Sequence, residues 1–201
     1  MYWKKLLTRT LPLAGTLALL PAASVLAHSA EETTALTDVK GGDFTLQGPD
    51  GPLSLSDLQG KVVLIFFGYT SCADVCPLTL ARINASFSAM TGDELERVRA
   101  LFITLDPERD TRERLEKYMS YFHPNIIGLR DNVEGINAMT SQYGVEYSRK
   151  VVPDSAVGYS ISHPTDILLL DTRGRFVKAV PHNTKPDQLL SRIRGLLNAY
   201  D

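Results

Sequence analysis

Residues 61–77 read KVVLIFFGYTSCADVCP, and this stretch decides both the fold and the chemistry that the chain can support. Its first part is an apolar run that ends at Gly68, which is typical of a strand buried on both faces of a sheet. After Pro77, a residue favoured in the first turn of a helix, apolar residues recur at helical spacing. These residues are Leu80, Ile83, Phe87 and Met90. The stretch therefore predicts a central strand, a loop with Cys72 and Cys76, and a helix that opens at Pro77.

Strand and helix signals alternate on both sides of this stretch. The turn sequence Gly-Pro-Asp-Gly at 48–51 separates two short apolar segments and predicts an N-terminal β-hairpin. Further strands are predicted at 98–105, 126–129, 167–170 and 176–180. Three further helices are predicted: one after Asp110, one at 133–143 and one from 184 onward. Asp110 is able to cap the first turn of the first of these. The long segment 144–162, which contains Pro153 and Gly158, predicts an irregular excursion or lid.

The order of these elements predicts the fold. Strands that alternate with helices form parallel pairs with right-handed crossovers, and the closing hairpin adds antiparallel strands. This order, βαβ followed by ββα, is the thioredoxin arrangement. We therefore predict an α/β protein with a thioredoxin-like fold, in which helices flank a mixed central sheet and a β-hairpin extends the N-terminal end. Ligands in such sheets lie beyond the carboxyl ends of the strands, where the loop 68–77 is expected.

The N-terminal segment 1–27 is predicted to be an export signal peptide or an N-terminal membrane anchor. Three basic residues precede an uncharged apolar run from 11 to 27, and small residues at 25 and 27 fit cleavage after Ala27. The run is marginal in length for a membrane span, so an uncleaved anchor is the alternative. Residues 28–42 then predict a linker, and 43–201 a single thioredoxin-like domain. We expect an exported protein of the bacterial periplasm, either soluble or anchored to the inner membrane.

Composition restricts the classes of function. The chain has 201 residues, 44% hydrophobic and 22% charged, which is typical of a soluble globular protein. A formal net charge of −2 gives no support to nucleic-acid binding. With 2 cysteines, the chain can build neither a multi-disulfide scaffold nor a four-cysteine zinc or iron–sulfur site. Nothing in the sequence indicates an obligate oligomer, so we expect a monomer.

The spacing of Cys72 and Cys76 brings two thiols near a predicted helix start. Residues four apart there can place both sulfurs on one side, and the unpaired N–H groups of the helix start favour a thiolate. In an oxidising compartment such a pair forms a structural disulfide, a redox couple or the thiolate part of a copper or zinc site. The spacing alone does not decide between these alternatives, because redox pairs usually have two intervening residues.

A metal site needs a further ligand, and the chain has 4 histidines. His28 lies beside the cleavage site, His123 near the end of a predicted helix, and His182 in a loop. His163 lies just before the strand predicted at 167–170, at its amino end and near the cysteine loop. A lone histidine is more often structural than a ligand, so the residues alone offer His163 only as a candidate.

These segments together resemble the Sco/SenC family. The resemblance rests on residues 63–69, on the C-x-x-x-C-P motif that ends at Pro77, on residues 105–111 (Leu-Asp-Pro-Glu-Arg-Asp-Thr), and on His163. It covers nearly the whole exported domain, and its combined motifs are far more specific than C-x-x-x-C alone. Members of this family are thioredoxin-fold copper proteins that help to assemble the dinuclear copper centre of cytochrome c oxidase.

The resemblance implies a copper site, for Cu(I) or Cu(II), with Cys72, Cys76 and His163 as ligands. The partner would be the copper-site subunit of cytochrome c oxidase or a related copper enzyme, with other periplasmic copper or thiol-redox proteins as further contacts. The chain departs from the family at Ser162, where an acid is frequent, and at Pro164. Loss of that acid removes a group that could orient the imidazole.

Three functions follow from this interpretation. The first is a copper metallochaperone rather than an enzyme. The alternative is a thiol–disulfide oxidoreductase that reduces the cysteines of the copper-site client, with Cys72 and Cys76 as catalytic residues. The third is a peroxidase-like or redox-sensing protein. We interpret 106–110 as a turn and helix cap, in which Arg109 is able to orient the loop. We favour the metallochaperone.

Overall fold

The computed structural model describes residues 39–153 and 157–199. The export segment or anchor predicted at 1–27 lies outside these residues, as does the predicted linker except for 39–42. None of the helices within the described ranges is long and apolar enough to cross a membrane.

Nine strands, five α-helices and one short 3-10 helix at Leu55–Leu58 make up the regular elements of the described part of the chain. The first half contains β1 (Thr45–Gly48), β2 (Gly51–Ser54), β3 (Val62–Gly68), α1 (Val75–Ser88), α2 (Gly92–Glu96), β4 (Val98–Thr104) and α3 (Arg112–Met119). The second half contains β5 (Ile126–Leu129), α4 (Val133–Gln142), β6 (Ser148–Val151), β7 (Tyr159–Ser162), β8 (Ile167–Leu170), β9 (Phe176–Val180) and α5 (Pro186–Ala199).

Five of the strands form the central sheet, in the order β5-β4-β3-β8-β9. Strand β3 pairs parallel with β4 and antiparallel with β8, and β4 pairs parallel with β5. Every residue of β3 is buried, and its successive side chains enter different cores, as with Phe66 on one face and Phe67 on the other. The predicted thioredoxin-like arrangement is confirmed, and so is the hairpin β1–β2 at the N-terminal end.

The segment 144–162 differs from the prediction of an irregular excursion. Two strands within it form a second hairpin, in which β6 pairs antiparallel with β7. All four residues of β6 are exposed, so the strand lacks the apolar alternation that would have identified it. The hairpin ends at Ser162, which places His163 directly after an ordered strand.

The starts of two helices also differ from the prediction. Helix α1 begins at Val75, so Cys76 lies in its first turn and not in the preceding loop. Pro77 is compatible with that position because the N–H groups of a first turn have no partner within the helix. Thr111, and not Asp110, caps α3 by accepting a hydrogen bond from the Arg114 amide at 3.2 Å.

Candidate metal centre

The two cysteines lie together beyond the carboxyl end of β3. Cys76 is fully buried, Cys72 is half-buried, and both are free thiols. The Cys76 amide donates a hydrogen bond to the Cys72 sulfur at 3.4 Å. Gly68 leaves room for this arrangement, because a Cβ at that position would lie 2.9 Å from the Cys76 sulfur and 2.6 Å from the Phe102 ring.

The two thiols have different pKa values because their surroundings differ. A hydrogen bond from the Cys76 thiol, together with backbone amides of the helix start, lowers the pKa of Cys72 to about 6. The same thiol–thiol hydrogen bond, with burial, raises the pKa of Cys76. At neutral pH the accessible sulfur is therefore a thiolate and the buried sulfur keeps its proton. The thiolate is the form that attacks disulfides and binds metals, so Cys72 is the reactive sulfur of the pair.

This division predicts the pH dependence of alkylation. We expect iodoacetamide to modify Cys72 at close to its maximal rate at pH 7, because the thiolate predominates above a pKa of about 6. Below about pH 6 the rate should fall by about tenfold for each pH unit as the thiol is protonated. Mass spectrometry of quenched samples measures the rate, and Cys72→Ser serves as the control because buried Cys76 should react little. An inflection near the ordinary thiol value, about 8.5, would contradict the assignment.

His163 is held in an orientation that suits a ligand. Its Nδ1 lies 2.7 Å from the Pro164 carbonyl oxygen, which can only accept, so Nδ1 carries the proton and Nε2 keeps its lone pair. Burial lowers the pKa of His163, which favours the neutral imidazole that binds metals. The backbone carbonyl thus performs the orienting task that the acid missing at 162 would have performed.

Tyr69 connects the histidine to the cysteine loop. Its ring packs edge-on against the His163 ring with centroids 6.1 Å apart, and its carbonyl accepts a hydrogen bond from the Cys72 amide at 3.2 Å. Within the described ranges, no three His, Cys, Asp or Glu side chains come close enough together to hold a metal ion. The structure therefore brings the two sulfurs together and packs the His163 ring against Tyr69, a residue of the same loop as Cys72.

The other candidate residues have structural surroundings. His123 packs edge-on against Phe87 and accepts a hydrogen bond from the Asn125 amide at 3.1 Å. His182 lies 2.9 Å from the Thr165 hydroxyl, and Asp74 is exposed. His28 lies outside the described residues.

Sequence reasoning missed the structural importance of segment 106–110. Asp106 and Asp110 are both fully buried, and each accepts hydrogen bonds from distant parts of the chain. Their partners, Tyr159 and Thr70, carried no local signal in the sequence. The family motif at 105–111 was the one feature that could have pointed to this role.

The donor set fits a soft metal ion. Two sulfurs and an imidazole Nε2 are the ligands preferred by copper, and Cu(I) in particular is selected by thiolates. The sulfurs are already adjacent, whereas His163 has to approach them to complete a set of three ligands.

A thioredoxin-like sheet with a low-pKa thiol in the loop just before its first long helix defines a thiol protein suited to metal binding or disulfide exchange. The family model SCO1/SenC matches residues 32–198, and the chain belongs to this family. The resemblance predicted from the sequence is therefore confirmed.

Relatives and solved structures agree with this assignment. A SCO2-like protein of Rickettsia felis is 33% identical over 156 residues, which cover 77% of this chain and 76% of that protein. The mitochondrial protein SCO2 of Saccharomyces cerevisiae is 32% identical over 205 residues, covering 98% of this chain and 67% of that protein. The structure of Bradyrhizobium japonicum ScoI with copper bound is similar with a TM-score of 0.71 and 35% identity, covering 78% of this chain and 98% of that one.

Proposed function

We propose that this protein is a copper metallochaperone that binds the ion through Cys72, Cys76 and His163. Its client is the dinuclear copper centre of cytochrome c oxidase. The observation that carries the proposal is the adjacent pair of sulfurs, linked by the hydrogen bond from the Cys76 amide, together with a histidine whose Nδ1 is bonded to the Pro164 carbonyl so that Nε2 keeps its lone pair. Membership of the SCO1/SenC family and the copper-bound relatives support it.

The residues would take up copper in unequal ways. Cys72 offers a thiolate at neutral pH. Cys76 still carries its proton because its pKa is raised, and it has to release that proton when copper binds. Burial lowers the pKa of His163 and so favours the neutral imidazole, which binds without losing a proton. Three ligands leave one side of the ion open, so that a client ligand can bind before the chaperone's ligands leave.

The proposed setting is an exported domain in the periplasm, soluble or held at the inner membrane by the N-terminal segment. We propose that it acts as a monomer, with the copper-site subunit of the oxidase as its main partner and other copper or thiol-redox proteins as further contacts.

An anaerobic copper titration of the reduced full-length chain tests the proposal. The chain should bind one Cu(I), tightly enough to retain the ion in the presence of a competing bidentate chelator that is specific for Cu(I). Removal of the ion by excess chelator should restore the free thiols without loss of folded structure. Weak binding without a defined stoichiometry would contradict the proposal.

Thiol–disulfide exchange is the second candidate function, and the low pKa of Cys72 favours it. The Cys72 thiolate would attack a client disulfide and form a mixed disulfide, and Cys76 would then attack Cys72. The client leaves as a dithiol, and its two electrons come from the pair, which becomes a disulfide. A measured reduction potential low enough to reduce client cysteines would favour this function.

A further inference from the structure

Two buried carboxylates lie on the loop that follows β4. Asp106 and Asp110 are both 0% exposed. A buried carboxylate is unfavourable unless hydrogen bonds replace its water, so the partners of each indicate what the loop holds. We call these two side chains the carboxylate bracket.

One arm of the carboxylate bracket holds the cysteine loop. Asp110 accepts hydrogen bonds from the Thr70 amide at 2.9 Å and from the Thr70 hydroxyl at 2.5 Å. Arg114 reinforces the contact, since it donates to the Thr70 hydroxyl and to the Ser71 hydroxyl, both at 2.8 Å. Residues 70 and 71 directly precede Cys72, so this arm fixes the approach to the reactive sulfur.

The other arm holds the hairpin β6–β7. Asp106 accepts a hydrogen bond from the Tyr159 hydroxyl at 2.7 Å and is paired with Arg109. The Arg109 guanidinium lies 3.6 Å from the centre of the Tyr159 ring. It also donates to the carbonyl oxygens of Val157 at 2.8 Å and Tyr159 at 3.1 Å. The start of β7 is therefore fixed at side chain and backbone, four residues before His163.

The two arms join elements that are far apart in sequence. We infer that Asp106 and Asp110 are positioning residues, which set the distance between His163 and the cysteine pair by holding both of their segments to one short loop. The inference rests on the proposed function, because it concerns the same three ligands. His163 has to approach the sulfurs when copper binds, and any freedom of the backbone next to it is then lost. Because β7 is already fixed, this loss of conformational entropy is small.

The first test removes one hydrogen bond of the carboxylate bracket. Tyr159→Phe deletes the hydroxyl that bonds Asp106 but keeps the ring on which Arg109 packs. We expect the Cu(I) affinity of the full-length chain to fall by about tenfold, at the lower end of the effects seen for groups that orient metal ligands. Tyr143→Phe is the matched control, since it deletes a hydroxyl that donates to the Gly42 carbonyl at 2.8 Å, and it should leave affinity unchanged.

A double-mutant cycle separates positioning from a general loss of stability. In a His163→Ala background, Tyr159→Phe should cause no further loss of Cu(I) affinity, because its arm acts through His163. Thr70→Val, which removes the hydroxyl bonded to Asp110, should lower affinity by the same factor in both backgrounds, because its arm acts through the cysteines. An equal loss from Tyr159→Phe in both backgrounds would overturn the inference.

A measurement without metal keeps this test independent of the proposed function. Hydrogen–deuterium exchange of the metal-free protein should show the β7 amides exchanging about tenfold faster in Tyr159→Phe than in wild type, while the central sheet is unaffected. Exchange in β7 at the wild-type rate would refute the anchoring role. If the wild type binds no copper but β7 is loosened as expected, the proposed function fails and the carboxylate bracket stands as an anchor of the hairpin.

Discussion

Replacing Cys76 by serine is expected to lower the affinity for Cu(I) by about a hundredfold to a thousandfold. Structural zinc sites in small peptides gain about 10–16 kcal/mol from about four ligands, and on that scale one ligand accounts for roughly 2.5–4 kcal/mol. A serine hydroxyl does not ionise at neutral pH and is a hard donor, so it does not replace a thiolate. The competition titration described above measures the loss.

The substitution should leave the fold in place. Serine is close to cysteine in volume, and its hydroxyl is able to donate to the Cys72 sulfur as the thiol does. Ser86→Ala is the matched control, because Ser86 is also buried on α1 and its hydroxyl bonds the Pro186 carbonyl at 2.9 Å. We expect the control to change thermal stability but not the affinity. Unchanged affinity in Cys76→Ser would show that the cysteine pair does not hold the ion.

Replacing His163 by alanine should weaken Cu(I) binding by roughly tenfold to a hundredfold and leave thiol exchange intact. The expected loss is smaller than for Cys76 because the imidazole has to approach the sulfurs, which offsets part of its contribution. The Cys72 thiolate is stabilised by Cys76 and by amides of the helix start, none of which involves His163. Its rate of reaction with a small aromatic disulfide should therefore remain at the wild-type value.

A second histidine provides the comparison for this variant. His182→Ala also removes a partly buried imidazole, one that lies beside the Thr165 hydroxyl, and it should alter neither copper affinity nor thiol exchange. If His163→Ala left copper affinity at the wild-type level, His163 would not be a ligand. If His163→Ala lowered the rate of thiol exchange by the same factor as the copper affinity, the role of His163 would be to shape the cysteine loop.

Elements that face the core were predictable from the sequence, and exposed elements were not. The run at 62–67 forms β3 because a central strand is apolar on both faces, and the pattern shows this directly. Strand β6 has only exposed residues, and its partner β7 supplies the burial at Ile161, so no local pattern marks the hairpin. Asp110 is followed by residues typical of a helix start, but Thr70, 40 residues earlier, binds its carboxylate.

The parts of the candidate site that depend on local sequence were predictable, and the parts that depend on tertiary contacts were not. The spacing of Cys72 and Cys76 indicated a thiol pair because local geometry near a helix start is set by neighbours in the chain. His163 was only one candidate ligand until the family resemblance favoured it, since its position depends on a strand pairing that no short motif encodes. The contact of the Tyr69 ring with His163, and the Pro164 carbonyl that orients the imidazole, depend on tertiary packing and could not have been predicted.

The pairing of β3 with β8 affects how the protein is made. Val63 is in register with Leu170, so one edge of the central strand has no neighbour until residues 167–170 have been synthesised. Pairings between such distant segments form slowly, and an unpaired edge favours association with other chains. Until then the chain carries both thiols just beyond a strand with one uncovered edge. We therefore expect C-terminally truncated chains to form intermolecular disulfides and aggregates.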